Sequence, residues 1–194
     1  MSRPDQGAKP DMADRTLADA EGGDAVREPD AADYGVLDAS DLGADPARPY
    51  VFATSEVLSG DKMQDVDEVC RRLAQSAGLA GAWKGWRSTR DRDAAQLEIG
   101  DGPWYRTDGE MVFQDHAALV SGPLVPINLD ENGLSVTGLV FTGTDPFGRT
   151  TGDTCREWKS YYDEDDITLG DCEATGDGWT AQQVTTCGRP RRAY

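Results

Sequence analysis

The first 48 residues contain no tryptophan, phenylalanine, isoleucine or cysteine, and Tyr34 is their one aromatic ring. A segment built mainly of Asp, Ala, Gly and Pro cannot bury enough apolar surface to offset the entropy lost on ordering it. Residues 1–48 therefore read as a disordered acidic leader or tether, and residues 49–194 as the folded domain. Positive charge is also scarce: 19 Lys and Arg stand against 36 Asp and Glu, a net charge of −17. Binding a phosphate backbone needs clustered bases, and Arg189, Arg191 and Arg192 at the chain end read as a solvated terminus, so nucleic acid is excluded as a partner. No run of residues approaches the roughly 18 apolar positions of a membrane-spanning helix. Histidine occurs once, at His116. Any Ser–His–Asp or Cys–His mechanism must use it, and no serine sits in a Gly-x-Ser-x-Gly elbow. His116 reads as a packed or half-exposed ring.

What the chain does hold begins with Cys70, Cys155, Cys172 and Cys187, all far apart and with no C-x-x-C pair. Zinc centres take ligands in close pairs, so disulfides are the better reading, with the pairing left open at this point. Disulfides imply an oxidising compartment, hence an extracellular or cell-surface location. The opening "MSRPDQGAKPDMADR" has no apolar secretory core, so the signal sequence is not present in this chain.

Tyr50, Val51 and Phe52 predict a short strand, with a turn at Ser59–Gly60. Val66, Val69, Cys70, Leu73 and Ala77 recur at helical spacing, with Asp61 or Asp65 placed to cap the start and Gly78 to stop the helix. Beyond Gly81 the apolar pieces are short. "AWKGW", "PWYR" and "MVF" are strand-like or irregular, with "TDGE" a hairpin turn between the latter two, and "DHAALV" reads as one helical turn. "LSVTGLVFTGT" reads as a central strand, and "EWKSYY" and "WTAQQVTTC" as two more. The sum is an α+β domain of short strands, one main helix and long loops.

The order of these pieces resembles a bacterial family of secreted and lipoprotein domains with a C-type-lectin-like, endostatin-like fold. The residues that carry the resemblance are Val51, Phe52, Thr54 and Ser55, then the Cys70 helix with its Ala-Gly-Leu exit. Gly102, Pro103, Trp104, Tyr105, Asp108 and Gly109 follow, and then Pro126 to Leu129. Phe141 to Thr144, the Cys155–Trp158 Cys-x-x-Trp, and Ala174, Thr175, Trp179 and Thr180 complete the series over residues 50–194. The resemblance implies that Cys155 ends a core strand and bonds to Cys187 on its neighbour, with Trp158 buried beside them. The family's usual last cysteine, which pairs with the one on the helix, is replaced by an end at Tyr194, leaving Cys70 free or paired with Cys172.

The resemblance implies a non-catalytic binding module whose ligand is a glycan or a cell-surface protein, held by the loops between about Leu129 and Glu173. Tyr161 and Tyr162 are the expected exposed aromatic pair, next to Asp163, Glu164, Asp165 and Asp166. No cofactor is required by this reading. Calcium is the metal to expect if one binds, on Asp163, Asp165 and Asp166, because it takes six to eight oxygens. "NLDENG" lacks EF-hand spacing and reads as a structural corner made by Asn128, Asp130, Glu131 and Asn132. Trp83, Trp86, Trp104 and Tyr105 read as core rings, or as a stacking platform where exposed. The rival readings are a purely structural or adhesive surface domain and a hydrolase using acidic residues.

Overall fold

Glycine, proline and aspartate interrupt the apolar pattern every few residues, so among the described residues no strand exceeds six. The computed structural model describes residues 48–194; the expected leader lies outside the described residues, apart from Arg48. The fold is mixed α+β, with two three-stranded sheets and one main helix.

The first sheet is β1 (Tyr50–Val51), β2 (Trp104–Arg106) and β3 (Met111–Phe113), in that order. β1 runs parallel to β2, pairing Tyr50 with Tyr105, and β2 runs antiparallel to β3. The "TDGE" hairpin forms as the sequence implies: Arg106 N–H donates to Glu110 O at 2.8 Å, and Gly109 takes a positive φ of 88°. The Arg106 guanidinium reaches Asp108, Glu110, Asn128 Oδ1 and Pro126 O, which ties the hairpin to the "NLDENG" corner. That corner is structural, as expected. Asp130 accepts from the Asn132 and Leu134 amides, and Glu131 accepts from the amide and hydroxyl of Ser55.

The helix α1 (Val66–Ser76) is shorter at its start than the periodicity predicts, because Gly60–Asp65 forms a 3₁₀ turn before it. Neither Asp61 nor Asp65 caps α1 with its side chain; Asp61 instead accepts a hydrogen bond from Ser59. The apolar stripe is right, with Val66, Cys70, Leu73 and Ala74 buried and Gly78 leaving the helix at a positive φ.

The second sheet is β4 (Leu139–Phe141), β5 (Asp166–Asp171) and β6 (Gln183–Thr186), antiparallel throughout. Its centre is β5 and not the β4 segment that the alternation predicts. Ile167, Thr168, Leu169 and Gly170 are all buried, so β5 has no solvent face to produce an alternating pattern. Gly170 is required where it stands, since a Cβ there would run into the backbone of Trp179. Trp179 and Thr180 belong to a short helix, Gly178–Ala181, and only the later part of the expected "WTAQQVTTC" strand forms β6.

The segment Cys155–Trp158 overturns two expectations. Cys155 does not end a core strand, and "EWKSYY" forms no strand. Four successive residues that are not glycine hold φ between 50° and 60°, making one left-handed turn. L-residues resist this conformation by about 1–2 kcal/mol each, so the surroundings must impose it. Thr154 Oγ1 accepts from the Glu157 amide, Trp158 N–H donates to Thr154 O at 2.7 Å, and Trp158 Nε1–H donates to Ser88 O at 2.9 Å. Cys155 is bonded to Cys187, which follows β6, with Cα atoms 5.7 Å apart across a separation of 32 residues. The implied disulfide is therefore present, with Trp158 buried next to it. Closing a loop of that length stabilises the domain by about 3–4 kcal/mol in the chain-entropy model.

Cys70 and Cys172 are unbonded and buried, so their pairing does not occur. They belong to different apolar clusters. Cys70 belongs to the cluster that holds Met63, Val66, Phe141, Ile167 and Trp158, whereas Cys172 belongs to the one that holds Trp86, Trp104, Phe113, Trp179 and Tyr194. Burial pushes the Cys70 thiol up to about 12 and the Cys172 thiol up to about 11, so both stay neutral at physiological pH.

Candidate functional site: an aromatic cavity

The residues singled out for binding occupy two different situations. Tyr161 and Tyr162 are 51% and 49% exposed and stack on each other with ring centroids 4.5 Å apart. The acidic residues beside them are engaged separately. Asp165 accepts from Ser160 Oγ and lies 4.0 Å from the Arg156 guanidinium, while Asp163 accepts from Thr186 Oγ1 at 3.1 Å. Asp166 opens β5, and Glu164 is exposed between them. His116 is half-buried, as expected, and meets Trp104 edge-on at 6.4 Å.

The tryptophans do something the sequence does not announce. Trp83, Trp86, Trp104 and Trp179 all line one cavity of about 470 Å³. None of these four lies in the 129–173 span expected to hold a ligand. The floor is a ring cluster: Trp179 packs on Trp86 at 4.8 Å, on Phe113 at 5.2 Å and on Tyr194 at 5.6 Å. β2 supplies Trp104 and β3 supplies Phe113. Residues 48–51, Leu119 and two irregular stretches, 80–86 and 97–100, provide the remaining walls, including Leu97 and Ile99.

Each wall is fixed from below. The 80–86 stretch lies on α1 because Gly85 has no side chain; a Cβ there would collide with Val66. Asp67 of α1 accepts from the Gly85 amide at 2.9 Å and from Lys84 Nζ at 2.8 Å. Burial raises the Asp67 pKa, but the Lys84 ammonium and the Gly85 amide outweigh it and hold the carboxyl below its ordinary value. Trp86 N–H donates to Tyr194 O at 3.0 Å, and its Nε1–H donates to Thr180 Oγ1 at 2.8 Å. Tyr194 O–H donates to Trp179 O at 3.1 Å, and burial drives that phenol well above its usual pKa.

No family model matches the chain, and no curated protein matches it.

One polar atom among these tryptophans is unaccounted for. Trp83 packs its ring on Phe52 at 5.0 Å, and its Nε1–H is buried without a hydrogen-bond partner among the described residues. Unpaired buried donors are uncommon and costly in folded proteins. Charges stand on the cavity's margin, where Lys84 is committed to Asp67 and the Arg48 guanidinium lies over the Tyr105 ring at 4.9 Å. The arrangement can enclose and stack a ring-bearing molecule. The volume and the largely apolar lining match those of small-molecule sites in general. Sequence reading named three of the four tryptophans as core or platform. The missing signal was convergence, since rings from positions 50 to 194 meet only in the folded chain.

Proposed function

We propose that this chain is a non-catalytic binding module of C-type-lectin-like, endostatin-like build, working outside the cell or at its surface, and that its ligand site is the aromatic cavity. The observation that carries the reading is the convergence of Trp83, Trp86, Trp104 and Trp179 on one cavity of about 470 Å³. Two small sheets, one main helix, long loops and the Cys155–Cys187 bond support the family build that the sequence resembles. The disulfide supports an oxidising compartment. Among the described residues the lining includes no serine, cysteine or histidine side chain and one carboxylate side chain, Glu98, which favours holding a ligand over transforming it.

A neutral solvatochromic dye tests the site. Nile red added to the full chain is expected to blue-shift and brighten with one-to-one saturation, and Ala82→Trp, which plugs the cavity margin, is expected to abolish the signal. A blue shift that survives the plug would contradict the assignment.

A second reading is favoured by the stacked and half-exposed Tyr161–Tyr162 pair, which suits adhesion to a surface protein. Exposed aromatic rings are the commonest energetic anchors of protein interfaces. In that case partner capture is lost in Tyr161→Ala/Tyr162→Ala and unaffected by the plug.

A further inference from the structure

We infer that the cavity takes a neutral, rigid hydrophobe with the bulk of three or four fused rings, and that it turns away sugars and fatty acids. This inference rests on the cavity being the ligand site. Size comes first. An apolar cavity of about 150 Å³ holds one benzene molecule. At about 470 Å³ this one has room for about three times that bulk. Ala80, Gly81, Ala82, Glu98 and Gly100 of the lining are exposed, so the mouth lies between the 80–86 and 97–100 stretches. Val51, Trp83 and Ile99 are half-buried, so an entering molecule meets apolar side chains.

The lining then sets the chemistry. Its aromatic walls reward flat ring faces, and a fused ring system has no rotatable bonds to freeze on binding. Among the described residues the lining has no Asp, Asn, Gln, Ser or Thr side chain. The Tyr194 hydroxyl and the Trp86 indole are already bonded to Trp179 O and Thr180 Oγ1. A sugar entering here would leave most of its hydroxyls stripped of water and unpaired. A fatty acid meets two obstacles. Its flexible chain loses rotamer freedom, and its carboxylate is opposed by Glu98 at the mouth and by a net charge of −17. The cations on the margin are already engaged, Lys84 with Asp67 and Arg48 over the Tyr105 ring.

A ladder of hydrocarbons makes the test. In sealed equilibrium dialysis against the full chain, Kd is expected to fall about five- to tenfold from benzene to naphthalene and again to phenanthrene, as each ring adds apolar contact. Ala82 is exposed, so Ala82→Trp leaves the core alone, and it is expected to remove phenanthrene binding. Millimolar octanoate and methyl β-glucoside are expected to leave bound phenanthrene in place. If Nile red binds and is lost with the plug while the three hydrocarbons bind with similar affinity, the ligand class is wrong and the cavity stands. Displacement of phenanthrene by octanoate or by the glucoside overturns the selectivity in the same way. If neither Nile red nor any hydrocarbon shows binding that the plug removes, the site itself falls and the inference with it.

Discussion

The stapled region around Trp158 and the open region around Trp83 contain the same kind of residue put to opposite uses. Trp158 is 1% exposed, packs edge-on against Phe141 at 6.2 Å, and has its indole N–H bonded to Ser88 O. A disulfide fixes the strained left-handed turn that carries it. Trp83 is half-buried, lies on an irregular stretch, and its indole N–H has no hydrogen-bond partner among the described residues. The Trp158 ring is part of the packed core, whereas the Trp83 ring stands at the wall of the cavity.

The largest effect expected in either region comes from Trp179→Ala, which removes the ring shared by Trp86, Phe113 and Tyr194. Large buried aromatics lost to alanine cost about 3–5 kcal/mol, so chemical denaturation should report a loss in that range together with loss of Nile red binding. A loss below about 1 kcal/mol would deny that this cluster is core. Next is the double substitution Cys155→Ala/Cys187→Ala, expected to cost about 3–4 kcal/mol. If the two regions are as distinct as their chemistry implies, this variant still binds Nile red at temperatures where it remains folded. Loss of binding without loss of fold would show that the staple shapes the cavity.

Smaller effects sharpen the same comparison. Asp67 braces the cavity wall through Lys84 and Gly85, and its carboxyl ionises more readily folded than unfolded. Its contribution is therefore complete above the unfolded value of about 4 and fades as pH drops through the lowered folded value. Asp67→Asn should cost about 1 kcal/mol or less near neutral pH, since the pair is partly solvated, and should weaken the stability loss on acidification. An unchanged acid limb in the denaturation curve would remove this brace from the account. The smallest effect is expected at the acidic face. Asp163 and Asp165 are already engaged by Thr186 and by Ser160 with Arg156, so millimolar calcium should shift the melting temperature by about 1 °C or less. A rise of several degrees, lost in Asp163→Asn/Asp166→Asn, would instead restore a calcium site there.

Some of these features were readable residue by residue, and others only in the folded chain. The α1 stripe, the "TDGE" hairpin and the short turn at His116 are local: period, turn chemistry and capping speak within a dozen residues. The strand β5 was hidden because burial of both faces erases alternation and the acidic residues before it look like loop. The left-handed turn was hidden because no glycine marks it; its conformation is imposed by Thr154, Ser88 and the disulfide partner. The Cys155–Cys187 bond came from the family resemblance and not from spacing. The cavity was least legible, since its walls come from segments more than a hundred residues apart.

Fluorine NMR of the chain labelled with 5-fluorotryptophan compares the two regions in one spectrum. Saturation with Nile red is predicted to move the Trp83, Trp86, Trp104 and Trp179 resonances and to leave Trp158 where it is. A spectrum in which Trp158 moves while those four stay fixed, or in which none responds while the dye is bound, would contradict the account.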